Sequence, residues 1–140
     1  MAQGRIEHAS CVAYRGWAAL IRGSSGSGKS ALSLQMIALG AVLVADDRTE
    51  LLMQGGGVTA RAPAAISGKI EARYVGLLNV PAVAEAGLAL VVDLDRQETE
   101  RLPPLRNTRI FDVDLPLFYK VSEPYFAASL LQVLAHGRFA

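Results

Sequence analysis

The sequence holds one cysteine, Cys11, in 140 residues. That excludes an internal disulfide and fits a reducing cytoplasm. Cys11 lies in an alternating stretch, where it reads as a small buried apolar side chain and not as a nucleophile. Charge is also sparse: 19% of residues are charged and the net charge is +1. The lysines and arginines form no run, so nothing points to a nucleic-acid partner. Long apolar runs are missing too. The longest candidate, Val80 to Val92, is broken by Glu85, so no membrane partner is expected. The opening residues 1–7 lack the apolar core of a secretory signal. Repeats and low-complexity tracts are absent. What remains is 51% hydrophobic, which reads as one globular domain over residues 1–140, short for a nucleotide-binding enzyme.

Against that background, Gly23, Ser24, Ser25, Gly26, Ser27, Gly28, Lys29 and Ser30 stand out as G-x-x-x-x-G-K-S. The apolar run Trp17 to Ile21 precedes them as a strand, and Ala31 to Leu39 follows as a helix. Strand, glycine loop and helix in this order form a phosphate-binding loop, whose amides turn inward toward phosphate oxygens. Lys29 is placed for the β- and γ-phosphates and Ser30 for Mg²⁺. The positive end of the helix dipole adds to the same anion site. A Gly/Ser linker could contain these letters; the strand before and the helix after argue against it. The chain is expected to bind a nucleoside triphosphate.

Around the loop, Ile6 to Ala13 reads as a strand joined to Trp17–Ile21 by a turn at Tyr14-Arg15-Gly16. The loop helix presents Leu32, Met36 and Leu39 on one face, with Gly40 closing it. Ala41 to Ala45 is a short apolar strand. Leu51–Met53 and Val58–Ala60 form a hairpin across glycines 55–57. The stretch Ala62 to Val80 shows no period. Leu88 to Leu94 is a buried strand, Arg96 to Asn107 a surface connection, and Ile110 to Val113 a last strand. Ser122-Glu123-Pro124 opens a terminal helix that runs to Leu134. Strands outnumber helices, so the expected fold is α/β: a compact mixed sheet with few helices around the phosphate loop.

Phosphoryl transfer needs carboxylates beside such a loop. Asp46 and Asp47 follow the apolar strand at its carboxyl end, where open α/β sheets gather ligand groups. Adjacent residues on an extended chain face opposite ways, so their roles should differ. Asp93 is a rival for the metal-linked role, but the pair Asp46-Asp47 needs a cation to compensate it and is preferred. Glu71 and Arg73, two apart, could line one pocket; a solvated ion pair is the plainer alternative. His8 precedes the loop by one hairpin, and His136 lies in the tail without an evident role.

In this order the motifs resemble the HPr kinase/phosphorylase family in a short form lacking a separate N-terminal domain. His8 stands where that family has a histidine, and the loop Gly23 to Ser30 resembles its phosphate loop. Val44-Ala45-Asp46-Asp47-Arg48 resembles its paired-aspartate strand. Glu71-Ala72-Arg73-Tyr74-Val75-Gly76-Leu77-Leu78-Asn79-Val80 resembles its signature, E-I-R-G-x-G-I-I-x-V. The resemblance implies a nucleotide-binding fold like that of HPr kinase and PEP carboxykinase. It further implies a cytoplasmic, ATP- and Mg²⁺-dependent protein-serine kinase that also removes the phosphate by phosphorolysis. The implied acceptor is the phosphocarrier HPr or its nitrogen-system relative, within regulation of the phosphotransferase system. By the same resemblance, Asp46 is the acid/base near the acceptor serine and Asp47 a neighbouring active-site carboxylate. Ser30 with Glu71 holds Mg²⁺, Lys29 and the loop amides hold the phosphates, and Arg73 organises the signature.

Three departures accompany the resemblance. Tyr74 replaces a glycine of the signature, and Ala31 replaces an acidic residue after the loop. The family's proline- and arginine-rich C-terminal loop has no counterpart after Leu115-Pro116-Leu117, which leaves open phosphorolysis and assembly into a homo-oligomer. Two other readings of the loop remain: a small-molecule kinase, and a regulatory module that binds nucleotide without catalysis.

Overall fold

A computed structural model describes residues 3–63 and 67–140. At its centre is strand β3 (Trp17–Arg22), the strand that delivers the glycine-rich loop. On one side β3 pairs antiparallel with β2 (Ala9–Tyr14), and on the other parallel with the long β9 (Glu85–Gln97). β4 (Val42–Ala45) closes the β2 edge. Beyond β9, the sheet continues through β6 (Gly57–Arg61) and β5 (Thr49–Gln54) to β1 (Gly4–Glu7). The far half of β9 pairs in parallel with β11 (Val113–Lys120), which carries β10 (Asn107–Ile110) at its edge.

Side chains alternate across this sheet and build two cores. One face of the central strands turns Val12, Ala19, Ile21 and Val92 toward α1 (Lys29–Ala38) and α2 (Phe126–His136). The helices answer with Leu32, Met36, Leu130 and Leu134. The opposite face turns Cys11, Leu20 and Val91 toward Leu51, Val58, Ile110 and Leu115 from the outer strands. Those strands therefore curl over the second face and bury it. Cys11 is fully buried, as its alternating context implies, and burial pushes its thiol pKa up.

Several expectations shift in the structure. The strand expected over Ile6–Ala13 is two strands broken at His8: β1 pairs with β5 and β2 with β3. The β5–β6 hairpin forms as expected, and its Gly55-Gly56 turn has φ of 56° and 81°, a backbone only glycine adopts freely. Ile110–Val113 is a turn between β10 and β11, because Phe111 and Asp112 adopt φ of 49° and 64°. The terminal helix lacks the expected Ser122 cap. It begins at Phe126, whose amide donates to Glu123 O, and the Ser122 hydroxyl donates to Gln97 instead. On α1, Leu39 is exposed and Ser33 is buried in its place, its hydroxyl donating to Lys29 O. The unassigned stretch contains a second, two-stranded sheet, β7 (Lys69–Ala72) with β8 (Gly76–Asn79); residues 64–66 of it lie outside the described residues. Ile70, fully buried beside α1, anchors this hairpin. No helix is long and apolar enough to cross a membrane among the described residues.

Candidate active site

The loop leaves β3 at Arg22 and turns into α1 at Lys29, with Ser27 N–H donating to Ser24 O at 3.0 Å. Gly23 is required sterically: a Cβ there would stand 2.3 Å from Ser27 Oγ, which is buried without a hydrogen-bond partner. The first turn of α1 has neither a side-chain cap nor an acidic residue. Its free amides and positive dipole end are therefore available to an anion. Lys29 is buried, and its Nζ donates to Gly23 O at 2.8 Å and Ser24 O at 3.2 Å. The ammonium thus lies folded along the loop, where phosphate oxygens can take over from the carbonyls.

Asp46 is where distant parts of the chain meet. It follows β4, and its Oδ1 accepts from Ser30 Oγ at 2.7 Å and from Ser10 Oγ at 2.9 Å. Its Oδ2 accepts the Glu71 amide at 3.1 Å. The loop, the paired aspartates and the signature hairpin therefore converge on one carboxylate. Asp47 turns away with φ 67°, its amide donating to Ser10 Oγ. Its carboxylate meets His8 Nε2 at 2.5 Å in the open mouth of the site, at the break between β1 and β2. The two adjacent aspartates do face different surroundings, but the cause is the left-handed turn at Asp47 beyond the end of β4 and not the alternation of an extended chain.

The signature residues divide. Glu71 sits on β7 beside Asp46, but the strand ends at Ala72, so Arg73 lies in the turn and not on one extended face with Glu71. Tyr74, at the position the resemblance assigns to glycine, has φ 70° and is fully exposed. The backbone conformation that favours glycine is thus kept while the residue is not. No cluster of three His, Cys, Asp or Glu side chains forms a metal cage among the described residues. The hydroxyl of Ser30 and the Asp46 carboxylate it meets at 2.7 Å form an all-oxygen donor set. That set suits Mg²⁺, which keeps water and phosphate oxygens as most of its ligands.

Asp93, the rival carboxylate, accepts the Asp95 amide at 2.9 Å and stands 3.8 Å from Arg96. The residue that reaches the loop is Asp95, which the sequence reading missed. Both its oxygens accept the Ser24 amide at 3.0 Å, and Ser24 Oγ donates to it at 2.9 Å. Those hydrogen bonds, amide first, with the Lys29 charge hold its carboxyl below the usual carboxylate range. The available signal is its place two residues beyond Asp93, on a strand that runs past the expected end at Leu94 to Gln97.

A curled mixed sheet with two helices on one face, and a glycine-rich loop feeding the first, defines a mixed α/β class. The chain belongs to the family described as the HPr serine kinase C-terminal domain, whose model matches residues 1–117. It is 37% identical over 111 residues to an HPr kinase/phosphorylase of Brevibacillus brevis, covering 70% of this chain and 36% of that protein. It is 31% identical over 140 residues to the HPr kinase/phosphorylase of Listeria welshimeri, covering 91% of this chain and 44% of that protein. The chain thus spans less than half the length of these relatives. The solved structure of the Hpr(Ser) kinase/phosphatase from Coxiella burnetii shares the fold, with a TM-score of 0.76 at 23% identity, over 94% of this chain and 88% of that one.

Proposed function

We propose that residues 1–140 form a single catalytic domain, an ATP- and Mg²⁺-dependent protein-serine kinase. Its acceptor is the phosphocarrier HPr, which the relatives' names carry, or the nitrogen-system relative of HPr. The reaction takes place in the cytoplasm as part of phosphotransferase-system regulation. One observation carries this reading: the Ser30 hydroxyl and the Glu71 amide both donate to the Asp46 carboxylate, with His8 and Asp47 at the open side.

Lys29 and the loop amides hold the triphosphate. Ser30 and Glu71 would hold Mg²⁺, which would supply charge neutralisation at the transferred phosphoryl group. Asp46 takes the proton of the acceptor serine, one hydroxyl away from the loop. Asp47 and His8 hold the neighbouring wall, where a protein acceptor reaches the site. Arg73 and Arg48 are exposed cations of the same region.

Incubation with labelled ATP, with and without purified HPr, tests the reading. Label on a serine of HPr supports it. Tight ATP binding without transfer would replace it with a regulatory module, and label on a small metabolite with a small-molecule kinase.

A further inference from the structure

A groove of about 520 Å³ runs beside the phosphate loop. One wall is Ser27, Gly28 and Ala31; the other is Lys120, Ser122 and Glu123, where β11 passes into α2. Sheet order fixes its side. Asp46 and His8 lie at the ends of β4 and β2, on one flank of β3. Leu94 and Lys120, which line the groove, belong to β9 and β11 on the other flank.

We infer that this groove holds the nucleoside half of the triphosphate, with the phosphates crossing the loop toward Ser30 and Asp46. The inference rests on the reading of the loop as a triphosphate site. A triphosphate whose reacting end lies at Ser30 must leave the loop at its opposite flank, and this groove begins there. Its volume falls within the roughly 300–1,000 Å³ of small-molecule sites. Its chemistry also suits a nucleoside. Leu94 and Phe126, both nearly buried, offer apolar surface to a base, while Ser122 and Glu123 offer an exposed hydroxyl and carboxylate to ribose hydroxyls. Lys120 supplies the groove's cation, suited to the phosphate nearest the ribose. Ala31 presents only a methyl group and leaves the entrance clear.

The test compares Mg–ATP with Mg–tripolyphosphate, which has the same phosphates and no nucleoside. Binding is measured calorimetrically for the unmodified chain, Ala31→Trp and Ser122→Trp. Both substituted residues are exposed, so circular dichroism is expected to show an unchanged fold. The unmodified chain should prefer ATP by on the order of ten-fold, the equivalent of about 1.4 kcal/mol. Each variant should lose that preference and keep its tripolyphosphate affinity. Loss of both ligands in parallel, or an intact ATP preference in both variants, would overturn the inference. An unmodified chain that binds neither ligand would instead bring down the reading of the loop and the inference with it. An azido-ATP photolabel gives a measurement independent of the variants. Label within residues 120–126 or on α1 supports the groove, and label confined to residues 42–54 refutes it.

Discussion

Asp46 and Asp47 are neighbours in sequence, yet one is tied to the loop serine and the other to a histidine at the surface. Substitution should therefore separate them. Asp46→Asn should lower the transfer rate by roughly 10²-fold or more, the scale of a lost acid/base group, with ATP affinity little changed. Asp47→Asn should have a smaller effect on rate and a larger one on KM for the protein acceptor. Steady-state kinetics with HPr decides it; equal and mild effects from both would remove Asp46 from the proton's path. Asp95 acts on the loop itself. Asp95→Ala should expose the Ser24 amide to faster hydrogen exchange and raise KM for ATP several-fold, with kcat less affected. Because the folded state lowers the Asp95 pKa, its contribution is complete above the ordinary carboxylate range. It is lost only as pH falls through the lowered value, so this contact predicts flat ATP affinity from pH 8 to pH 5. Unchanged exchange at Ser24 in the variant would show that the contact does not hold the loop.

At the scale of elements, the legible parts were those with a local cause. The glycine-rich loop, its flanking strand and helix, and the Gly55-Gly56 hairpin each rest on backbone chemistry visible in the residues themselves. The β10–β11 turn was not legible, because Phe111 and Asp112 take left-handed conformations without a glycine to announce them. The β7–β8 hairpin was hidden for a different reason. Val75 and Leu77 are exposed and Ile70 is fully buried, so its apolar residues follow no single face. Asp46 and Glu71 were recognised individually, but their meeting depends on that unrecognised hairpin. Ile70 carries the consequence. Ile70→Ala should destabilise the protein by about 2–4 kcal/mol, the usual loss for a buried large-to-small change. It should also reduce transfer at temperatures where the fold is intact, because the hairpin presents the Glu71 amide to Asp46. Urea unfolding and activity at low temperature test both parts; a destabilised variant with full activity would detach the hairpin from catalysis.

For the molecule as a whole, the distribution of cations bears on the direction of the reaction. Phosphorolysis requires inorganic phosphate in the loop while a phosphoserine docks opposite it. Two anions brought that close repel unless fixed cations neutralise them. This chain offers Lys29 in the loop, with Arg48 and Arg73 exposed nearby. After residue 109 it has only Lys120 and Arg138. Lys120 lines the groove on the nucleoside flank, and Arg138 donates to Pro103 O and Ala140 O at the opposite end of α2 from the loop. The family model's match ends at Leu117. ATP-dependent phosphorylation brings a neutral serine to the site and needs no second set of cations. The 140-residue chain should therefore phosphorylate HPr faster than it dephosphorylates serine-phosphorylated HPr. Release of phosphate from that phosphoprotein, followed with and without millimolar inorganic phosphate, gives the comparison. Phosphate-stimulated dephosphorylation that outruns the kinase reaction would mean that Lys29, Arg48 and Arg73 suffice to hold both anions.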